Sequence, residues 1–89
     1  GAKYYYELGS SSQSKNGTDN AKTYFDKCIK CTGDGDEIRY SAMYQLAKIA
    51  EKAGDNNTAA KYFTTVASKH PVEAIRNEAK KFVEQYRES

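Results

Sequence analysis

The sequence matches itself. Tyr6-Glu7-Leu8-Gly9 aligns with Tyr44-Gln45-Leu46-Ala47 at a shift of 38 residues, and in the same frame, without a gap, Ala21 meets Ala59 and Tyr24-Phe25 meets Tyr62-Phe63. A second match pairs Ile38-Arg39-Tyr40-Ser41-Ala42 with Ile75-Arg76-Asn77-Glu78-Ala79, so that a third copy begins near the C-terminal end. Repeats of this length mark stacked architectures. One unit is too small to bury its own apolar face and does so only against its neighbours.

The helix breakers agree with that division. Asn16-Gly17, Gly33-Asp34-Gly35-Asp36, Gly54-Asp55 and His70-Pro71 interrupt the chain at intervals. Between them the apolar residues recur with helical and not strand spacing. The spacing predicts five helices: about Ala2 to Lys15, from Thr18 or Asp19 as a cap to near Cys31, from after Asp36 to about Ala53, from after Asp55 to before Pro71, and about Val72 to Arg87. Asp55 is well suited to accept from the free N–H groups of the fourth helix, and Pro71 ends it. Ala42, Met43, Leu46, Ala47, Ile49 and Ala50 form the stripe of the third helix. Ala59, Tyr62, Phe63, Val66 and Ala67 form that of the fourth, and Ile75, Ala79, Phe82, Val83 and Tyr86 that of the fifth. Each stripe has a polar back, so each helix buries one face only.

Composition excludes several classes. At 89 residues with 38% hydrophobic content the chain is one thin, layered domain. The net charge of +2 comes from interspersed signs, as on solvated helix faces, and not from the clustered Lys and Arg that displace counterions from nucleic acid. No apolar run is long enough to insert in a membrane, and no signal peptide is visible. Gly1 in place of Met suggests a tag remnant or a fragment of a longer protein.

Tyr5, Leu8, Gly9, Ser12, Ala21, Phe25, Cys28 and Gly33 fall in the order and spacing of tetratricopeptide signature positions, and Met43, Leu46, Ala47, Ala50, Ala59, Phe63, Val66 and Pro71 repeat that order. The chain resembles the tetratricopeptide repeat family over essentially its whole length. The first copy departs at Ser12, where the family has a large aromatic, and at Gly33, where it has Pro. The resemblance implies an all-α, right-handed solenoid of antiparallel helix pairs: unit one at about 2–35, unit two at about 37–71, and a capping helix at about 72–88 with Lys80, Glu84, Arg87 and Glu88 on its polar side. The repeat exceeds the usual length, roughly 34 residues, and the excess falls at Thr32 to Asp36. The long first helices and the ending from Val66 to His70-Pro71 are similar to those of bacterial cell-envelope members, such as the Tol-Pal coordinator and outer-membrane assembly lipoproteins. That likeness favours the periplasm.

No catalytic set is readable. Cys28-x-x-Cys31 lies near a helix C-terminus, where the dipole disfavours a thiolate, and His70 is the one His, too few for a zinc site beside a single Cys pair. The pair is expected as reduced thiols with Cys28 buried. Asp34, Asp36 and Glu37 lack the later ligands of a calcium loop and read as a turn. Asn16-Gly17-Thr18 and Asn56-Asn57-Thr58 are glycosylation sequons at turns, meaningful only in a secreting eukaryote. Ser10 to Ser12 have no base beside them, and His70 is expected to end a helix in its positive form. The chain is therefore read as non-catalytic, with no cofactor or metal.

The family pattern lines an inner groove with the first helix of each pair. It implies Lys3, Tyr6, Ser10 and Gln13 from the first unit, Ser41, Tyr44, Lys48, Glu51 and Lys52 from the second, and Glu78, Lys81 and Gln85 from the fifth helix. Tyr6 and Tyr44 take equivalent places, as exposed tyrosines suited to a peptide or helix partner, or else as rings that pack on neighbouring helices. The Lys/Asn/Arg set with which some relatives clamp a terminal carboxylate is absent. The alternative is a structural spacer or a module that self-associates through its first helix.

Overall fold

A computed structural model describes residues 1–89. It contains five helices: α1 (Ala2–Ser14), α2 (Thr18–Lys30), α3 (Glu37–Lys52), α4 (Asn56–Lys69) and α5 (Glu73–Glu88). They form an all-α solenoid. α1 packs on α2, α2 on α3, α3 on α4 and α4 on α5, while α1 also touches α3 along the backbone. The expected helices all form, each within a residue or so of its expected ends.

Two turns inside the pairs are built alike. Asn16 (φ 62°) and Gly54 (φ 81°) both adopt the left-handed conformation that ends a helix. Gly17 N–H then reaches back to the Ser12 carbonyl at 2.7 Å, and Asp55 N–H to the Ala50 carbonyl at 2.9 Å. These are the same bonds, one repeat apart. The starts of the next helices differ. The Asp55 carboxylate accepts from Thr58 N–H at 3.2 Å, as expected of a cap. Neither Thr18 nor Asp19 caps α2: Gly17 holds the cap position without a side-chain bond, and Thr18 is already helical. The Gly17 bond to Ser12 fixes the turn a residue early.

The core has two halves. Ala21, Phe25 and Cys28 of α2 meet Ala42, Leu46 and Ile49 of α3, and Ala47 and Ala50 of α3 meet Ala59, Phe63 and Val66 of α4 with Ala79 of α5. Cys28 and Val66, equivalent in the repeat, are both fully buried. Small residues set the helix spacing. A Cβ at Gly9 would lie 2.8–2.9 Å from three atoms of the Phe25 ring.

The joints between units are fastened by side chains. α3 and α5 each carry in their first turn an arginine that grips the end of the helix before it. Arg39 Nη1 donates to the Ile29 and Thr32 carbonyls at 3.1 and 3.0 Å, and Arg76 Nη1 donates to the His70 carbonyl at 2.7 Å. These carbonyls lie at or just past helix C-termini, where the cations complement the dipole; that of Ile29 also accepts from the Thr32 N–H and hydroxyl. Tyr40, from the same turn, is buried and donates to the Asp34 carbonyl at 2.7 Å.

The two ends of the stack differ. Where α3 presents Met43, Ala47 and Ala50 to α4, α5 carries the exposed Lys80, Glu84 and Arg87 at the matching places. Tyr4, on α1, is 60% exposed at the place where α3 has the buried Ala42.

Candidate protein-binding groove

α1, α3 and α5 lie side by side, and the residues expected to line a groove divide between two hollows. The larger is an open cleft of about 860 Å³ between the end of α1 and the second half of α3. It gathers Gln13, Tyr44, Lys48, Glu51 and Lys52 of the expected set, and adds Asn16, Thr18 and Gln45. The smaller, about 140 Å³, lies between α3 and α5. It gathers Glu51, Glu78, Lys81 and Gln85 over the rings of Phe63 and Phe82. Lys3, Tyr6, Ser10 and Ser41 line neither hollow. Periodicity could not single out Asn16 and Thr18, because Asn16 sits in the turn and Thr18 is the first residue of α2, outside the first-helix face that the family pattern follows.

A side-chain bridge separates the hollows. Glu78 accepts from the Tyr44 hydroxyl at 2.8 Å through one carboxylate oxygen and from Lys48 Nζ at 2.9 Å through the other. Lys48 also lies 3.9 Å from Glu51 and stands over the Tyr44 ring. The backbones of α3 and α5 do not approach each other as those of α1 and α3 do. Each member of the bridge is tuned by the others. The hydrogen bond to Glu78 raises the Lys48 pKa against its partial burial. Burial would raise that of Glu78, but the bonds from Lys48 and Tyr44 and the Lys48 charge together hold it low. Burial raises the Tyr44 phenol, and the bond to Glu78 adds to it. The bridge thus stays in its ion-paired form across the neutral range.

Of the two readings of Tyr6 and Tyr44, the rings follow the packing one: both are half-buried supports of the core. Tyr6 stands edge-on to Phe25 at 5.5 Å between ring centroids, and Tyr44 edge-on to Phe63 at 6.3 Å. The Tyr44 hydroxyl reaches across the groove to Glu78. A helical stripe tells which face a ring is on, but not how far a neighbouring ring reaches up to meet it.

His70 corrects an expectation. It ends α4, but its ring is buried and 3% exposed, its Nδ1 accepts from Val72 N–H at 3.0 Å, and burial together with the Arg76 charge lowers its pKa below 6.5. It is therefore neutral at the helix end. The Arg76 guanidinium, not the imidazole, supplies the positive charge there.

No three His, Cys, Asp or Glu side chains gather to hold a metal ion, and no helix is long and apolar enough to cross a membrane. Two family models match the chain, both described as tetratricopeptide repeat: one over residues 2–31 and one over 41–71, together more than half of its length. The chain belongs to the tetratricopeptide repeat family. Neither a curated protein nor a solved structure matches it. The two matched stretches are α1 with α2, and most of α3 with α4. The first turn of α3, which carries Arg39 and Tyr40, lies outside both. Tetratricopeptide repeats generally mediate protein–protein interaction, and the family is typically a non-catalytic scaffold.

Proposed function

We propose that this tetratricopeptide domain is a non-catalytic scaffold that binds a peptide or helix in the groove along α1, α3 and α5, with two repeat units at about 2–35 and 37–71 and α5 as the cap. The observation that carries the reading is the cleft beside α3. Gln13, Asn16 and Gln45 offer paired donors and acceptors to a peptide backbone, Lys52 offers a charge, and Ile49 and Ala53 offer apolar contact. Glu78, Lys81 and Gln85 would extend the contact toward α5. The finer likeness to bacterial envelope members rests on the long first helices and on the Val66 to Pro71 ending.

The test is peptide selection from a random display library, followed by chemical-shift mapping of the bound peptide on the labelled domain. Shifts concentrated at Gln13, Gln45, Lys52 and Lys81 are expected, with weaker binding for Gln45→Ala and Lys52→Glu at unchanged melting temperature. Shifts confined to the outer faces of α2 and α4 would overturn the assignment. Alanine at Tyr6 or Tyr44 is a poor probe, because it would also remove support from Phe25 or Phe63.

A second reading, a spacer or oligomerisation module, is favoured by the exposed Tyr4 on the outer side of α1. It predicts a concentration-dependent dimer in sedimentation that Tyr4→Lys abolishes. A monomer at millimolar concentration would end the oligomerisation reading.

A further inference from the structure

We propose that His70 is a proton-sensitive latch at the corner between α4 and α5: neutral, it holds α5 in place, and protonated, it releases the corner and loosens the bridge across the groove. The imidazole bears on both elements. Its Nδ1 accepts from the N–H of Val72, the N-cap of α5, at 3.0 Å, while the main-chain carbonyl of His70 accepts from Arg76 of α5 at 2.7 Å. Its ring stands edge-on to Tyr44 of α3 at 6.1 Å between centroids. The Tyr44 hydroxyl donates in turn to Glu78 of α5. One ring therefore touches the corner and, through Tyr44, the bridge.

A proton on Nδ1 would turn an acceptor into a donor aimed at another N–H group, and the bond to Val72 would be lost. The groups that bear on the ring are the Arg76 guanidinium from α5, the Glu37 carboxylate from α3 and the Tyr44 phenol, which is uncharged in this range. Arg76 opposes a second positive charge and Glu37 favours one. Burial is the largest effect and lowers the pKa, Arg76 adds to it, and the net shift is downward from 6.5. The sign follows. With its pKa depressed in the latched state, His70 contributes its full stabilisation above about pH 6.5 and loses it as the pH falls through the latched value. One proton limits the loss to about tenfold in the closing equilibrium per pH unit. The latch does not depend on what the groove binds, so it can fail or succeed separately from the binding assignment.

His70 is the one histidine of the chain, so its imidazole proton signals can be followed by NMR without ambiguity. The expected midpoint lies below 6.5, and the Val72 amide and Tyr44 ring signals move with the same midpoint. Amide hydrogen exchange, corrected for its intrinsic pH dependence, should accelerate in α5 more than in α1 and α2 between about pH 7.5 and about pH 5.5. His70→Asn keeps an oxygen able to accept from Val72 N–H but takes up no proton, and it should remove the extra acceleration. A midpoint at or above 6.5, equal acceleration in all helices, or the same α5 acceleration in His70→Asn would overturn the latch. The wild-type titration decides the matter even if the variant does not fold.

Discussion

The Phe25 ring lies where a side chain at position 9 would begin: a Cβ built on Gly9 comes within 2.8 Å of it. The second unit has Ala47 at the matching place, and there the phenylalanine stands farther from the tyrosine of the first helix, 6.3 Å against 5.5 Å in the first unit. Gly9→Ala is predicted to destabilise the domain even though alanine favours helix. Overpacking a buried ring costs roughly 1–3 kcal/mol, against a helix-propensity gain of about 1 kcal/mol. Chemical denaturation would measure it, and the penalty should shrink in a Phe25→Leu background. An equal penalty in both backgrounds would show that the ring is not the obstacle. Gly33→Ala, with nothing within 4 Å of its added methyl, is the control.

Arg39 and Arg76 are predicted to fasten each unit to the one before it. Removing a hydrogen bond made by a charged group costs about 1.5–3 kcal/mol, and Arg39 makes two to backbone carbonyls. Arg39→Ala should therefore lower the denaturation midpoint more than a typical surface substitution. Arg39→Lys should recover only part of the loss, because both bonds come from Nη1, and the shorter, freely rotating ammonium is not held between the two carbonyls by a rigid planar guanidinium. Full recovery by lysine would reduce the contact to simple charge.

Asp55 gives a pH-dependent prediction. Its hydrogen bonds with Thr58 hold its carboxyl below the usual 3.8, with a small contribution from the Lys22 charge. A depressed carboxyl contributes stability above its unfolded value and loses it as the pH falls through the folded one. Wild type should therefore lead Asp55→Ala in melting temperature at neutral pH, and the gap should narrow below about pH 3.8. Asp55→Asn, which can still cap but does not titrate, should show no such narrowing.

The two cysteines are predicted to behave oppositely towards a thiol reagent. Cys31 is exposed and should be modified at once in the native protein. Cys28 is fully buried, and burial, with a smaller effect of Cys31, raises its thiol pKa. It should react only as fast as the domain opens. Mass spectrometry after brief labelling should find one adduct, at Cys31, and two in denaturant.

Much of this was legible in the sequence because it depends on spacing. The shift between Tyr6 and Tyr44, the capping carboxylate of Asp55, the stop at Pro71 and the buried Cys28 are all local or periodic signals, and each takes its expected place. The misses depend on reach across space. Arg39 and Arg76 stood out only as a matched pair; that they clasp the preceding helix depends on where its last carbonyls point. His70 was expected to be charged because a helix end favours a cation, but burial and Arg76 outweigh the dipole there. The groove was anticipated as one continuous surface, whereas Glu78 divides it, because its carboxylate spans from α5 to two side chains of α3.

The charges of α5 have a consequence for building with this domain. A helix laid on α5 as α4 lies on α3 would have to strip water from Lys80, Glu84 and Arg87, and three charges buried without partners oppose such docking. The outer side of α1 carries Tyr4, Glu7 and Ser11, one charge in place of three, and sets a lower barrier. In chain engineering, a helix pair grafted ahead of α1 should extend the array, whereas one grafted after α5 should hang loose until those three positions become Met, Ala and Ala. The module thus behaves as a tile with a joining edge and a finished edge.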